Sequence, residues 1–440
     1  MTRKAAMLGL LLSASLLSGS LAPPAFAGVI GQNTPALPIT AERIAQLPAA
    51  QQPAWKAYLE RSQAQMKADR AALAAELKPG QTPPPPPPTA HGEGESMPLT
   101  KDAAWYATPE ARHIADVIVS FQTPAGGWSK NLDRRGALRL PGQPWFADNN
   151  SKYLSEKDFD AARDPKWGYV GTLDNNATIT EMRFLAKVAR QVPGPEGEAY
   201  RQSFLKGVNY LLAAQFPNGG WPQVWPLEGG YHDAVTFNDN AVSEAAYLLT
   251  EVSEAKPDFA FVPADLRAKA ALAAKHGREV IVAAQIRIDG QPTIWGQQAD
   301  PFTLEPVAGR NFEPPALSTG ESADLLFYLM QLPDPTPAEV AAVHAGIAWM
   351  KKAAIVGFEW TGKGEPDGRH LIEKPGAGPI WARYYSRETQ KPVFGERDKT
   401  LRDNVNELSR ERRDGYSWFG TQPSKVIRLY ATWAKTHPLN

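Results

Sequence analysis

One helix ending recurs along the chain. In "VSFQTPAGGWSKN", "LAAQFPNGGWPQVWP" and, more loosely, "VAAQIRIDGQPTIWGQQ", a helical pattern runs into a glutamine, then a glycine-containing turn, then a tryptophan: Trp128, Trp221 and Trp295. A second motif is interleaved with it. "LDNNAT" (173–178) and "NDNAVS" (238–243) each set Asp-Asn just before the next helical pattern. Capping explains any one copy alone, since glycine suits a helix C-terminus and Asp or Asn an N-terminus. Capping requires neither tryptophan nor the same Asp-Asn pair, alternating along one domain. Helix-end loops repeated in this order imply helical hairpins arranged around an axis, with the loops meeting at one end. The expected fold is therefore mainly all-α, an (α/α) toroid.

The segments between these loops agree. "EARHIADVIVSFQ" places Ile114, Ile118 and Phe121 at helical spacing, and "TITEMRFLAKVARQV" opens with Thr178-x-x-Glu181, a capping-box pattern. Six further helical patterns follow, while "PTIWGQQ" and "HLIEKPG" are the best of few strand signals. Upstream, residues 40–77 read as helix, and Pro83–Pro88 as a stiff polyproline II spacer. At the start, Arg3 and Lys4, a short apolar run over Leu8–Leu21, and Ala25-Phe26-Ala27 read as a cleavable signal peptide too short to span a membrane. The expected organisation is a signal peptide over 1–27, a helical region and proline-rich linker over 28–97, and the toroid domain over 98–440. The mature protein is expected in the periplasm or the medium, as a monomer with no membrane span.

Lysine plus arginine number 47, as do aspartate plus glutamate. That balance gives no basic stripe and argues against nucleic acid as a partner. The chain has no cysteine, so no disulfide supports it even in an oxidising compartment. An anionic ligand would have to be met by local arginines and lysines.

The usual hydrolytic signatures are missing: the seven histidines form no metal-ligand spacing, and no G-x-S-x-G occurs. Trp128, Trp221 and Trp225 lie in loops and read as sugar-stacking surfaces or as core packing. Lys130 follows Trp128, and a cation beside an aromatic floor suits an acidic sugar. Asp174, Asp239 and Glu313 leave two-carboxylate glycoside hydrolysis open. Arg310, in "VAGRNFEPPALS", is held between Gly309 and Pro314-Pro315. Arg383, Arg387 and Arg397 lie among aromatics in "WARYYSRETQKPVFGERD". Each reads either as a partner of a local acid or as a fork for a substrate carboxylate. Asp and Asn oxygens suit Ca²⁺.

Five stretches in order, "GGWSKN", "TLDNNATITEMRFLAKV", "FPNGGWPQVWPLEGGYHDAVTFNDNA", "GRNFEPPALS" and "WARYYSRETQKPVFGERD", resemble pectate lyases of polysaccharide lyase family 10, over about residues 100–435. The resemblance implies an (α/α) toroid and calcium-assisted anti β-elimination of polygalacturonate, giving 4,5-unsaturated oligogalacturonides. It makes Arg310 the Brønsted base for the sugar C5 proton, which requires poising by neighbouring positive charge and substrate, since free arginine keeps its proton. It makes Asp174 and Asp239 calcium carboxylates, Asp174 with a catalytic part, and Asn175, Lys130, Arg383 and Arg397 substrate ligands. Arg387, Trp128 and Trp221 join that binding set from the reading of the loops. The competing readings are a glycoside hydrolase on a similar toroid, using Asp174 or Asp239 with Glu313, and a non-catalytic binder of acidic polysaccharide. All five stretches lie beyond Pro98, so activity is expected not to need residues 28–97.

Overall fold

The computed structural model describes residues 28–90, 97–147, 157–161, 164 and 167–439. The leader read over 1–27 lies outside them. Three helical hairpins form the body: α4 (Ile179–Gln191) with α5 (Glu198–Ala214), α6 (Ala241–Ser253) with α7 (Ala264–Ala283), and α8 (Thr319–Met330) with α9 (Pro337–Lys352). Helix α3 (Pro109–Ser120) precedes them, and α10 (Arg410–Gly415) and α11 (Gln422–Trp433) follow. Helices α4, α6 and α8 pack side by side, and so do α3, α5, α7 and α9, while α11 packs against both α8 and α9. The result is two concentric layers, an (α/α) toroid. The inner helices bury apolar side chains such as Met182, Leu185, Leu248, Leu249 and Leu325.

The recurring ending explains the curvature. The last four carbonyls of a helix have no partner within it. The indole N–H of Trp128 donates to Ile118 O in the last turn of α3, at 2.7 Å. Trp221 does the same to Leu211 O of α5 at 2.8 Å, and Trp295 to Ile281 O of α7 at 2.6 Å. Trp381 repeats the contact on Met350 O of α9 at 2.8 Å. The glutamines tie each outer helix to the next. Gln122 Nε2 donates to Gly126 O and to Ser203 O on α5; Gln215 to Gly219 O and to Ala273 O on α7; Gln285 to Thr293 O and to Ala342 O on α9. Glycine is needed because the turn lies against that next helix. A Cβ at Gly126 (φ 108°) would sit 2.6 Å from Lys206 O. Two-residue β-pairings, such as Val235–Thr236 with Gln298–Ala299 and Leu317–Ser318 with Tyr384–Tyr385, then knit successive loops at this end. The strand signal in "HLIEKPG" is observed as His370–Glu373, paired with Phe358–Thr361.

Two local expectations change. Residues 40–77 form two helices, α1 (Ala41–Ala45) and α2 (Gln52–Ala75), separated around Pro48, which has no backbone N–H to continue a helix. Thr178 is not a cap: its hydroxyl accepts from Trp128 N at 3.0 Å and donates to Thr172 O at 2.8 Å, while Glu181 forms a buried pair with Arg134. The N-terminal segment joins the main core. Trp55 packs against Phe216 and Phe302, the Tyr58 hydroxyl donates to Ala214 O at 2.9 Å, and Val29–Gln32 pairs antiparallel with Thr400–Arg402.

Candidate active site

The loops at the N-terminal ends of the inner helices enclose a cleft of about 1240 Å³. Lys130, Asp174, Asn175, Asp239, Arg310 and Arg383 line it, and residues of the N-terminal segment, including Asn33 and Arg70, form one wall. The Asp-Asn repeats are turns of left-handed backbone. Asn175 and Asn176 have φ of 52° and 56°, and Asp239 and Asn240 have 49° and 63°. Asn and Asp enter this region more readily than other side chains with a Cβ. Neither α4 nor α6 has a side-chain cap; the turns instead bring Asp174 and Asp239 to the cleft.

The two carboxyl groups lie within hydrogen-bonding reach of each other. Burial, together with the hydrogen bond to Asp174 and its negative charge, pushes Asp239 up to about 8. Burial acts on Asp174 in the same direction, but the Lys130 ammonium and the Asp239 hydrogen bond outweigh it and hold Asp174 well below the usual carboxylate range. Lys130 donates to Asp174 and rests 3.7 Å above the Tyr169 ring. Asn175 N and Asn238 Nδ2 donate to Asp239 Oδ2 at 3.3 and 2.9 Å. Arg383 Nη2 donates to Asn238 Oδ1 at 3.2 Å and pairs with Glu321. Among the described residues, no three His, Asp or Glu side chains converge as a metal cluster.

Arg310 projects from a tight turn with its side chain 40% exposed to the cleft. Its Nη2 donates to Glu313 Oε1 and its backbone N to Glu313 Oε2, at 2.6 and 2.7 Å. Its guanidinium carbon lies 4.9 Å from the Phe312 ring centre and 5.6 Å from that of Tyr416. Burial works to lower its pKa, but the charge and hydrogen bond of Glu313 outweigh that and hold it well above the ordinary arginine value. Before substrate binds, the dominant neighbour of Arg310 is therefore an acid. Burial alone would raise Glu313; Arg310 and Arg383 bring it down to about 2. The Tyr416 hydroxyl, 2.7 Å from Glu313 Oε1, completes the knot.

The structure gathers Lys130, Asp174, Asn175, Asp239, Arg310 and Arg383 in one cleft and leaves others out. Trp128 and Trp221 are not stacking surfaces: both are fully buried, with their indole N–H groups spent on helix carbonyls. Trp225 is buried as well. Arg387 does not line the cleft; it pairs with exposed Glu305 at 2.6 Å. Arg397 lies behind the Arg310 turn, forked onto Glu411 with both contacts at 2.9 Å. Sequence reasoning missed Tyr169, whose hydroxyl is 3.0 Å from His232 Nε2, and Glu228, which burial pushes up to about 7. It also missed Tyr416. A tyrosine or glutamate in a loop carries no local signal of such a place. No helix among the described residues is long and apolar enough to cross a membrane.

The comparisons with known proteins fit this geometry. A family 10 polysaccharide lyase from Cellvibrio cellulosa superposes with a TM-score of 0.63 and 29% identity, over 77% of this chain and 97% of that one. A mutant of the Cellvibrio cellulosa family 10 lyase, in which alanine replaces an aspartate, was solved in complex with trigalacturonic acid; it gives a TM-score of 0.62 and 28% identity, over 78% and 99%. No curated sequence matches the chain. The pectic acid lyase family matches residues 122–427, most of the toroid and every cleft-lining residue of the five stretches, and the chain belongs to that family as a pectate lyase.

Proposed function

We propose that this pectate lyase is exported and cleaves polygalacturonate by calcium-assisted anti β-elimination, with Arg310 as the base, releasing 4,5-unsaturated oligogalacturonides. The observation that carries the reading is the placement of Lys130, Arg383 and Arg310 in one cleft with the Asp174–Asp239 pair. The trigalacturonic acid held by the related lyase supports the choice of substrate.

The C5 proton of a galacturonate is α to a carboxylate and weakly acidic. Cations on that carboxylate stabilise the charge that develops as the proton leaves. Lys130 and Arg383 supply such charge, Asn175 a neutral contact. Arg310 takes the proton from one face. The C–H electron pair becomes the C4–C5 double bond, and the glycosidic oxygen at C4 departs from the opposite face and gains a proton. Arg310 must be neutral to act, and Glu313 opposes this. The active fraction therefore grows about tenfold per pH unit below the Arg310 pKa, and the rate climbs into alkaline pH.

Asp174 and Asp239 would hold the calcium ion. Their fit rests on the chemistry of the pair: two buried carboxyl groups within hydrogen-bonding reach of each other, an all-oxygen donor set in which a divalent cation would take the place of the proton that burial and Asp174 favour on Asp239. Bound there, calcium supplies positive charge against the substrate carboxylate. Glu313 cannot serve a hydrolase as proton donor, because Arg310 and Tyr416 occupy its oxygens and it stays ionised down to about 2.

The test is ultraviolet absorbance of the unsaturated product from polygalacturonate, with and without chelator. Wild type should give the signal and lose it with chelator. Arg310→Ala and Arg310→Lys should each lose at least about 10²-fold in kcat, while trigalacturonate binding falls much less. An Arg310→Ala protein that kept kcat and lost binding would make Arg310 a carboxylate clamp. Export would be checked by the N-terminus of the secreted protein, expected at Gly28.

A further inference from the structure

The family match begins at residue 122, yet the turn that carries Arg310 is gripped from residue 33. The Asn33 side-chain amide donates to Asn311 O and Glu313 O at 3.0 Å each, and to Arg310 O at 3.4 Å. Its Oδ1 accepts from Thr34 N at 3.1 Å, and its backbone N donates to Lys399 O at 2.7 Å. Asn33 is 4% exposed. It extends the strand Val29–Gln32, which is fixed to Thr400–Arg402. On its far side the segment is fixed again: Arg43 pairs with Asp300 at 2.6 Å and lies 4.6 Å from the Phe302 ring centre. Between these anchors, Thr34–Pro38 runs along the cleft as part of its wall.

We infer that Asn33 is a positioning residue for the lyase reaction: its amide sets the Arg310 turn, and the segment Val29–Pro38 is a working part of the active site. The inference rests on Arg310 being the base.

The physical case starts from the turn itself. Residues 309–313 belong to no helix or strand; within the turn Glu313 N donates to Arg310 O at 2.9 Å and Gly309 N to Glu313 O at 3.1 Å, so the turn holds its own shape and what remains to be fixed is its place in the cleft. Three of its carbonyls converge on one NH₂ group, whose two N–H bonds serve Asn311 O and Glu313 O, with Arg310 O a longer, shared contact. The Phe394–Gly395 strand of the same sheet presses on the turn too, where a Cβ on Gly395 would collide with Phe312 O. The turn thus rests on the N-terminal strand's sheet and is tied to it by the asparagine that follows the strand. Proton abstraction depends steeply on where the base sits, with about 10²-fold lost for an error of about 1 Å. A turn that loses this tie keeps its Glu313 contact but can tilt as a unit.

The variant Asn33→Asp keeps size and the Oδ1 acceptor and turns an oxygen toward three carbonyls. Asn33→Ser is milder and serves if the first folds poorly. Both are made in the full chain, and kcat and KM on polygalacturonate are compared with the double variants carrying Arg310→Ala. The expected result is a kcat at least about tenfold lower with KM within about twofold, for protein still folded at the assay temperature by circular dichroism. Adding the Asn33 change to Arg310→Ala should cost nothing further, since a mispositioned base matters only when the base is present. Unchanged kcat in the folded Asn33 variants, or losses that multiply in the double variants, overturns the inference while leaving Arg310 as base. Intact kcat in Arg310→Ala alone removes the base assignment, and the role of Asn33 goes with it.

Discussion

The outer-helix tryptophan turns and the inner-helix Asp-Asn turns both come from repeats in the sequence, and they have opposite physical characters. In the tryptophan turns every element is satisfied: the indole caps a helix, the glutamine joins two outer helices, and the glycine allows close contact. In the Asp-Asn turns, successive residues have left-handed backbone and two buried carboxyl groups face each other. Such conformations, and the burial of two carboxyl groups against each other, cost free energy, and they persist where function needs them. Repetition therefore marks where helices end; satisfaction or frustration of the groups there tells scaffold from site.

The largest effect expected from breaking this contrast is on the scaffold. Trp221→Ala removes a fully buried indole and leaves Leu211 O without its capping donor. A loss of about 3–5 kcal/mol is expected in denaturant unfolding, with KM of the folded fraction unchanged. A rise in KM at wild-type stability would instead restore Trp221 as a sugar platform. On the other side of the contrast, Asp239→Ala should cost at least about 10²-fold in kcat, the scale of a transition-state charge contact. Its helical circular dichroism should be kept, because α6 takes no side-chain cap from Asp239. Cooperative unfolding of Asp239→Ala at normal specific activity would place it with the scaffold.

The toroid was legible because its instructions are local. Glutamine, glycine and tryptophan act within about a helical turn of their own helix end or on the adjacent helix, so they leave a pattern that repeats. The positions of Asp174, Asp239 and Arg310 were legible for a related reason: Asp-Asn turns and a Gly-Arg…Pro-Pro turn announce unusual backbone. The direction of an indole is not written locally, and Trp128 could have faced either the cleft or the core. Asn33 is the extreme case, since its partners lie at residues 310, 311 and 313 and no periodicity links such distant segments. The charge state of Arg310 was equally hidden, because it depends on how Glu313 is buried and shared with Tyr416.

The smallest expected effect is at Arg387, and it sharpens the boundary of the cleft. Sequence alone could not separate Arg383 from Arg387, four residues apart among the same aromatics. Arg383 N is held by Trp418 O at 2.7 Å, and its guanidinium lies 4.8 Å from the Tyr416 ring centre, facing Glu321 and Asn238. Arg387 follows the paired strand residues Tyr384–Tyr385 and pairs with an exposed acid, Glu305. Exposed pairs of this kind contribute about 0–1 kcal/mol. Arg387→Ala should therefore change unfolding free energy by less than about 1 kcal/mol and kcat/KM by less than about fivefold, the rate equivalent of the same energy. Arg383→Ala, assayed beside it, should lose far more of kcat/KM. If Arg387→Ala instead raised KM for long polygalacturonate but not for trigalacturonate, the substrate path would extend beyond the cleft and across Arg387.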